Sequence, residues 1–172
     1  WSNLTIFWGC GTNLHRSPYN ARNHEYYSED AVLTSGQAVA FISGGKEYGV
    51  IIAPKHLAFN DTEINRTGVS VFMTEQQARE NELRGTQAAI EDAGALGVMT
   101  AFNRVGITAA NAHTGLLKNI LRGEWGFKGL ESQDFIMNPN YAVLKEYALN
   151  GGTMTTFTGE NTMAAVSENF AA

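Results

Sequence analysis

Three side chains with the potential for chemistry stand just past the ends of predicted strands. Lys55 and His56 follow one strand, and Asp134 comes shortly after another. A charged pair at the end of a buried strand is costly unless it serves a site or a salt bridge. A carboxylate held at a strand end can face a pocket, while an ammonium group and an imidazole supply directional hydrogen bonds. These three side chains therefore mark the candidate functional site.

The elements that must position these side chains follow an alternating strand and helix pattern. Five short apolar runs bounded by Gly or Pro predict strands at Leu4–Trp8, Gly49–Pro54, Gly97–Phe102, Gly129–Ser132 and Thr153–Phe157. Longer segments predict helices at Asp30–Ser43, Glu75–Ala93, Thr114–Arg122 and Tyr141–Leu149, with Gly44 and Gly94 ending the first two. This alternation is typical of α/β proteins with parallel strands.

The predicted fold class is α/β, in the form of an incomplete TIM-like (β/α) barrel with about five parallel strands and crossover helices. A complete eight-stranded barrel takes about 250 residues, and its site lies in the loops after the strand C-termini. We therefore expect residues 1–172 to form one partial barrel domain of a larger protein. The chain begins without an initiator Met or a signal segment, so the sequence assigns no compartment.

Composition disfavours several classes of partner. Twelve Lys and Arg against seventeen Asp and Glu give a net charge of −5, and no basic run could track a nucleic-acid backbone. The apolar runs are far shorter than the ~20 residues of a membrane span. Cys10 is the only cysteine, and the spacings of His15, His24 and His113 give no short ligand pair. We predict no membrane span, no metal and no cofactor.

Six segments in order resemble the N-terminal barrel of family 3 glycoside hydrolases. They are residues 11–18 (GTNLHRSP), 21–30 (ARNHEYYSED), 54–60 (PKHLAFN), 98–104 (VMTAFNR), 121–129 (LRGEWGFKG) and 133–135 (QDF). The hexosaminidase branch of this family carries a further histidine shortly after the Lys-His pair, which this chain lacks. The resemblance is therefore to the β-glucosidase-like branch, and it covers most of the chain.

The resemblance implies a retaining β-glycosidase that hydrolyses O-glycosyl bonds, with Asp134 as the nucleophile. In this mechanism a carboxylate attacks the anomeric carbon and a separate carboxylic acid protonates the leaving oxygen. The attacking carboxylate must be ionised, and we expect Lys55 and Arg66 to hold the pKa of Asp134 down. The alternative is a loop or helix-capping aspartate without a catalytic role.

The resemblance also implies a set of residues that bind the carbohydrate substrate. Arg22, Lys55, His56 and Arg66 match sugar-binding positions, Met99 and Phe102 match positions that line the pocket, and Phe135 stands beside the nucleophile where many relatives have Trp. Two of these residues could instead form ion pairs with nearby carboxylates. Arg22 could pair with Glu25 or Asp30, and Arg66 could form a surface pair with Asp61 or Glu63.

The chain departs from the family pattern in two ways that bear on activity. A carboxylate that grips the far sugar hydroxyls in relatives would lie upstream of Trp1. The general acid/base Glu comes from a following α/β domain in relatives, and nothing beyond Thr158 resembles that domain. We therefore expect this chain alone to lack turnover and to require the missing C-terminal α/β domain of its parent protein.

Two functions are alternatives to the glycosidase, of which one stays open and the other is disfavoured. The main alternative is a non-catalytic carbohydrate-binding half-barrel or an inactive paralogue, and Asp134 alone does not decide against it. A dinucleotide-binding domain is disfavoured because no Gly-x-Gly-x-x-Gly follows the first predicted strand.

Overall fold

The computed structural model describes residues 5–135 and 144–156, built around a parallel sheet of four strands. The strands are β1 (Ile6–Gly11), β2 (Ile51–Leu57), β4 (Gly97–Thr100) and β7 (Leu130–Gln133), and they lie side by side in that order. All three pairings are parallel, so the four carboxyl ends meet at one edge of the sheet. This arrangement confirms the predicted α/β class and the incomplete barrel.

The first predicted helix begins where expected but ends later. Helix α1 (Ala31–Glu47) is capped by Asp30, whose Oδ1 accepts a hydrogen bond from the backbone nitrogen of Leu33 at 2.7 Å. The prediction that this helix stops at Gly44 was wrong. The adjacent Gly45 instead permits close packing, because a Cβ there would lie 2.5 Å from Ile52 of β2.

The second predicted helix is divided into three pieces. Helix α2 (Glu75–Gln77) leads into a π-helical turn (Ala78–Glu82), and α3 (Arg84–Glu91) follows. Thr74 caps α2, with its hydroxyl oxygen accepting a hydrogen bond from the backbone nitrogen of Gln77 at 3.2 Å. The π-helical turn places the buried Glu82 against Arg16. A continuous α-helix has about one residue fewer per turn and would bring a different residue to this position.

The last two predicted helices are present with altered bounds. The third is a π-helix (Gly115–Glu124) that buries Leu116, Leu117 and Leu121. The fourth, α4, is described over Leu144–Leu149, and the predicted start at Tyr141 lies outside the described residues.

The fifth predicted strand, Thr153–Phe157, is reduced to a single parallel bridge between Met154 and Ser132, and Phe157 lies outside the described residues. Backbone hydrogen bonds run from the nitrogens of Thr153 and Met154 to the carbonyl of Glu131, and side chains add others. The hydroxyl of Thr153 accepts from the backbone nitrogen of Glu131, and Tyr147 donates to the carbonyl of Met154. The prediction of a full strand was therefore wrong in extent.

The sequence did not predict a second, smaller sheet. Its strands are β3 (Ser70–Val71), β5 (Arg104–Val105) and β6 (Thr108–Ala109), with β5 between the other two, and a 3₁₀ turn (Ala110–Ala112) follows. Each strand is two residues long, which is too short for an alternating pattern to show. Its hairpin follows β4 and lies beside the edge where the large sheet ends.

The hydrophobic core lies between the large sheet and the helices. Ala38 and Ile42 of α1 and Ala89 of α3 pack with Val98 of β4 in one cluster of buried residues. No helix within residues 5–135 and 144–156 has both the length and the apolar character that crossing a membrane requires.

Glu131 is an ionisable residue at the centre of β7 that is only 1% exposed. Burial raises the pKa of its carboxyl from 4.5 to about 8, and this outweighs the opposing influence of the nearby Tyr147 and Thr100 hydroxyls and of the charge of Arg122. The folded protein therefore holds a proton on Glu131 over a pH range in which the unfolded chain has released it.

We expect Glu131→Gln to remove a pH-dependent loss of stability. A raised folded-state pKa favours folding at acidic pH, and the free energy of unfolding then falls by about 1.4 kcal/mol per pH unit between pH 4.5 and about 8. Urea unfolding at pH 5 and pH 8 should therefore show a smaller decrease in the variant than in the wild type. Glu91→Gln, at an exposed helix position, is the control. Equal decreases in Glu131→Gln and wild type would contradict the assignment.

Candidate active site

The carboxyl ends of the strands enclose a cavity of about 450 Å³. Seven of the predicted site residues line it: Arg22, Lys55, His56, Arg66, Met99, Asp134 and Phe135. Three residues that the sequence did not predict also line it: Trp8, Glu63 and Thr156. Of the predicted residues, Phe102 does not line the cavity directly. Its ring instead lies beneath the guanidinium group of Arg66, 4.4 Å from the Arg66 Cζ to the ring centroid.

Asp134 directly follows β7 and points its carboxylate into this cavity. Its side chain is 10% exposed, and its Oδ1 accepts a hydrogen bond from the backbone nitrogen of Phe135 at 2.8 Å. The Oδ2 atom lies 3.4 Å from Nε2 of His56. The sheet therefore fixes one carboxylate oxygen against the backbone and presents the other beside an imidazole.

The pKa of Asp134 is raised above its usual value, so the prediction of a lowered pKa was wrong. Burial of the carboxyl is the largest influence and raises the pKa. The hydrogen bond from Phe135 and the charges of Arg66, Arg22 and Lys55 act in the opposite direction and offset only part of it. The sequence shows the cations but does not show how far the carboxyl is removed from water.

His56 lies near the end of β2 and is 2% exposed. Burial, followed by the charges of Arg22, Lys55 and Arg66, holds the pKa of its imidazole well below the usual value. The ring is therefore neutral at neutral pH. Its backbone is fixed by Asn13, whose side chain donates to the His56 carbonyl and accepts from the His56 nitrogen.

Glu25 joins two of the predicted site cations. Its Oε1 lies 2.7 Å from Nζ of Lys55, and its Oε2 accepts from Nε of Arg22 at 2.6 Å. Burial alone would raise the pKa of Glu25, but the hydrogen bonds and charges of Lys55 and Arg22 together lower it. The pairing of Arg22 with Glu25 that the sequence allowed is thus present, and it occurs at the wall of the cavity rather than on a remote surface.

Glu63 joins Arg22 to the third cation of the site. Its Oε1 lies 3.3 Å from Nη1 of Arg22, and its Oε2 lies 2.8 Å from Nη1 of Arg66. The pairing of Arg66 with Glu63 is also one that the sequence allowed. Because Glu63 and Arg66 both line the cavity, this ion pair belongs to the site.

Two apolar residues predicted for the site have different exposures. Met99 of β4 is buried at 5% exposure, whereas the ring of Phe135 is 55% exposed at the mouth of the cavity. Trp8 of β1, which the sequence analysis missed, also lines the cavity. Exposed aromatic faces beside polar donors suit a ligand with both hydroxyl groups and apolar ring faces.

The charges of the site balance closely. Arg22, Lys55 and Arg66 carry three positive charges, and Glu25, Glu63 and Asp134 together carry three negative charges when all are ionised. Among the described residues, no three His, Cys, Asp or Glu side chains gather as metal ligands. The arrangement can hold a neutral polar ligand with directional donors and bring a carboxylate against it.

Comparison with known protein families finds a family whose profile matches most of the chain. The profile of the glycosyl hydrolase family 3 N terminal domain matches residues 3–152. The chain belongs to glycosyl hydrolase family 3. The family and the β-glucosidase-like resemblance inferred from the six sequence segments are thereby confirmed.

Individual relatives of this family 3 chain are named as β-glucosidases. A probable β-glucosidase J of Emericella nidulans is 36% identical over 170 residues, which are 95% of this chain and 20% of the relative. A β-glucosidase of Rhizobium radiobacter is 40% identical over 123 residues, which are 72% of this chain and 15% of the relative. The chain thus spans about one fifth of the length of such relatives.

Solved structures of family 3 proteins share the fold. β-Glucosidase 3B of Thermotoga neapolitana, solved in complex with glucose, has a TM-score of 0.82 and 34% identity over 88% of this chain and 21% of its own. The β-glucosidase of Kluyveromyces marxianus, also solved with glucose, has a TM-score of 0.87 and 28% identity over 95% of this chain and 20% of its own.

We expect Arg66→Gln to raise the pKa of Asp134 further. The substitution removes a cation that stabilises the ionised carboxylate, while the burial that favours the neutral form remains. Titration of the Asp134 ¹³C carboxyl resonance, assigned with Asp134→Asn, measures the shift. Lys118→Gln removes one positive charge at an exposed position of the π-helix and serves as the control. An unchanged or lowered pKa in Arg66→Gln would show that Arg66 does not act on Asp134.

Proposed function

We propose that this chain carries the nucleophile and the sugar-binding residues of a retaining β-glycosidase in a longer protein. The observation that carries the proposal is the position of Asp134, a largely buried carboxylate that faces a cavity lined by donor side chains at the strand ends. Membership of glycosyl hydrolase family 3 and the naming of its relatives as β-glucosidases support a β-glucoside-like substrate.

In the proposed reaction, an oxygen of Asp134 forms a bond to the anomeric carbon of the sugar. The bond from that carbon to the leaving oxygen breaks, and a separate acid donates a proton to this oxygen. Water then hydrolyses the glycosyl ester on Asp134, with the same acid/base group taking a proton from the water. The strand end limits the motion of Asp134 and keeps its carboxylate aimed at one point in the cavity.

The donors proposed for the sugar hydroxyls are Arg22, Lys55, His56 and Arg66. Neighbouring groups hold these donors: Glu25 holds Arg22 and Lys55, Glu63 holds Arg66, and the Tyr26 hydroxyl lies 3.0 Å from Nδ1 of His56. A sugar is uncharged, so discrimination rests on the direction of hydrogen bonds rather than on net charge. The exposed ring of Phe135 and the indole of Trp8 are proposed to contact the apolar faces of the substrate.

The raised pKa of Asp134 has a consequence for the pH dependence of the proposed reaction. The attacking carboxylate must be ionised, so the rate falls as the pH decreases through the pKa of Asp134. Because burial raises this pKa, the acidic limb lies at higher pH than it would for an exposed aspartate. The benefit of burial is that the anion is poorly solvated, because its side chain is only 10% exposed.

The proton donor is proposed to come from outside the described residues. Glu25 is bound by Arg22 and Lys55, which lower its pKa and keep it ionised. Glu63 is likewise engaged by Arg22, Arg66 and Asn60. Both glutamates are therefore committed to ion pairs at the wall of the cavity. We propose that a C-terminal α/β domain of the parent protein supplies the acid/base, as the sequence analysis expects.

We expect Asp134→Ala, made in the complete protein, to lower kcat by on the order of 10⁴-fold or more on an activated aryl β-glucoside. Added azide should restore turnover and yield an α-glycosyl azide, because the small anion enters the space that the carboxylate has left. The measurement is aryl release together with NMR of the glycosyl product.

The matched control is Asp92→Ala, at an exposed position just beyond α3, which should retain the wild-type rate without azide. Full activity in Asp134→Ala, or a loss that azide does not relieve in a folded variant, would overturn the nucleophile assignment. Tight binding of a glucoside by wild-type protein without any turnover would instead support the non-catalytic carbohydrate-binding alternative.

A further inference from the structure

A chain of hydrogen bonds runs from Glu63 to Asp134 beneath the cavity. Nδ2 of Asn60 donates to Oε1 of Glu63 at 2.9 Å and to the hydroxyl of Tyr26 at 2.8 Å. The Tyr26 hydroxyl lies 3.0 Å from Nδ1 of His56, whose Nε2 lies 3.4 Å from Oδ2 of Asp134. Tyr26, Asn60 and His56 are each at most 4% exposed, so water competes little with these bonds.

The direction of this chain is set at the Glu63 end. A carboxylate only accepts hydrogen bonds, so Asn60 must present its amide nitrogen to Glu63 rather than its oxygen. The second hydrogen of the same nitrogen is then directed at the Tyr26 oxygen. The orientation of the Asn60 amide is therefore determined by the charge of Glu63.

The orientation of Asn60 also decides which atom donates in the hydrogen bond between Tyr26 and His56. Its oxygen accepts from Asn60, so its own hydrogen is available for donation. Within residues 5–135 and 144–156, Nδ1 of His56 is the acceptor in hydrogen-bond reach of this hydroxyl. An atom that accepts from Tyr26 carries no proton, so the single proton of the neutral imidazole lies on Nε2.

We propose that Tyr26 and Asn60 are positioning residues that hold His56 with its proton on Nε2, so that the ring donates a hydrogen bond into the cavity. In the opposite tautomer Nε2 would present a lone pair to the Asp134 carboxylate, and the ring would offer no donor to a ligand. The proposal deepens the proposed function, because it specifies that His56 selects a substrate oxygen that accepts a hydrogen bond.

The tautomer can be measured directly by ¹⁵N NMR of the full-length protein labelled with ¹⁵N-histidine. The His56 signals are assigned by their loss in His56→Gln. In wild type, Nδ1 should resonate as an unprotonated ring nitrogen and Nε2 as a protonated one. Wild-type protein with the proton on Nδ1 would overturn the proposal, and this result needs no variant of Tyr26.

Tyr26→Phe tests whether the hydroxyl is responsible. It keeps the ring and removes the donor to Nδ1, so both nitrogen signals should move towards tautomer-averaged positions, and kcat/KM should fall roughly tenfold. Tyr27→Phe is the matched control, because the Tyr27 hydroxyl lies near the Cys10 thiol rather than His56 and its loss should change neither quantity. Unchanged His56 signals in a folded Tyr26→Phe variant would overturn the role of Tyr26.

Failure of this proposal is distinguishable from failure of the proposed function. The NMR measurement reports the proton on His56 whether or not the protein turns over a glycoside. Azide rescue of Asp134→Ala together with unchanged His56 signals in Tyr26→Phe would retain the nucleophile and remove the positioning role. The expected His56 signals without azide rescue would retain the tautomer and remove the assignment of Asp134 as the nucleophile.

Discussion

The removal of the Asp134 carboxylate from water is the constraint on which the rest of the site depends. Burial raises the pKa of this group, and three cations, Arg22, Lys55 and Arg66, partly offset that cost. Cations so close together repel one another, and the structure separates them with Glu25 and Glu63. Each glutamate bridges two of the cations. The cations are therefore held in fixed directions by the glutamates rather than by direct pairing with Asp134.

The parallel sheet makes this arrangement possible because its strands end at one edge. β2 contributes Lys55 and His56, and Asp134 follows β7, so residues about 80 positions apart in sequence meet across β4. The long segment after β2 then returns Glu63 and Arg66 to the same cavity. Behind the strand ends, Asn60, Tyr26 and His56 are hydrogen-bonded in sequence and are each at most 4% exposed, so water competes little with these bonds.

The sequence predicts the parts of this structure that depend on local pattern and on residue order. Apolar runs located four strands, and the family resemblance pointed to seven of the ten residues that line the cavity. Sequence could not predict the raised pKa of Asp134, because desolvation depends on packing by residues distant along the chain. It also missed Glu25 and Glu63 as site residues, since acidic neighbours of arginine most often form solvated surface pairs. The π-helical turn at Ala78–Glu82 has no periodic signature of its own, and its stability comes from tertiary contacts.

The central claim is that Asp134 forms a covalent bond to a sugar, and trapping that intermediate tests it most directly. A 2-deoxy-2-fluoro β-glucoside with an activated leaving group needs little help from an acid and gives a slowly hydrolysed glycosyl ester. Peptide mass spectrometry of the treated complete protein should then find one added sugar on the peptide that contains Asp134, and none after Asp134→Ala. Labelling of a different carboxylate, or equal labelling of the wild type and Asp134→Ala, would contradict the account.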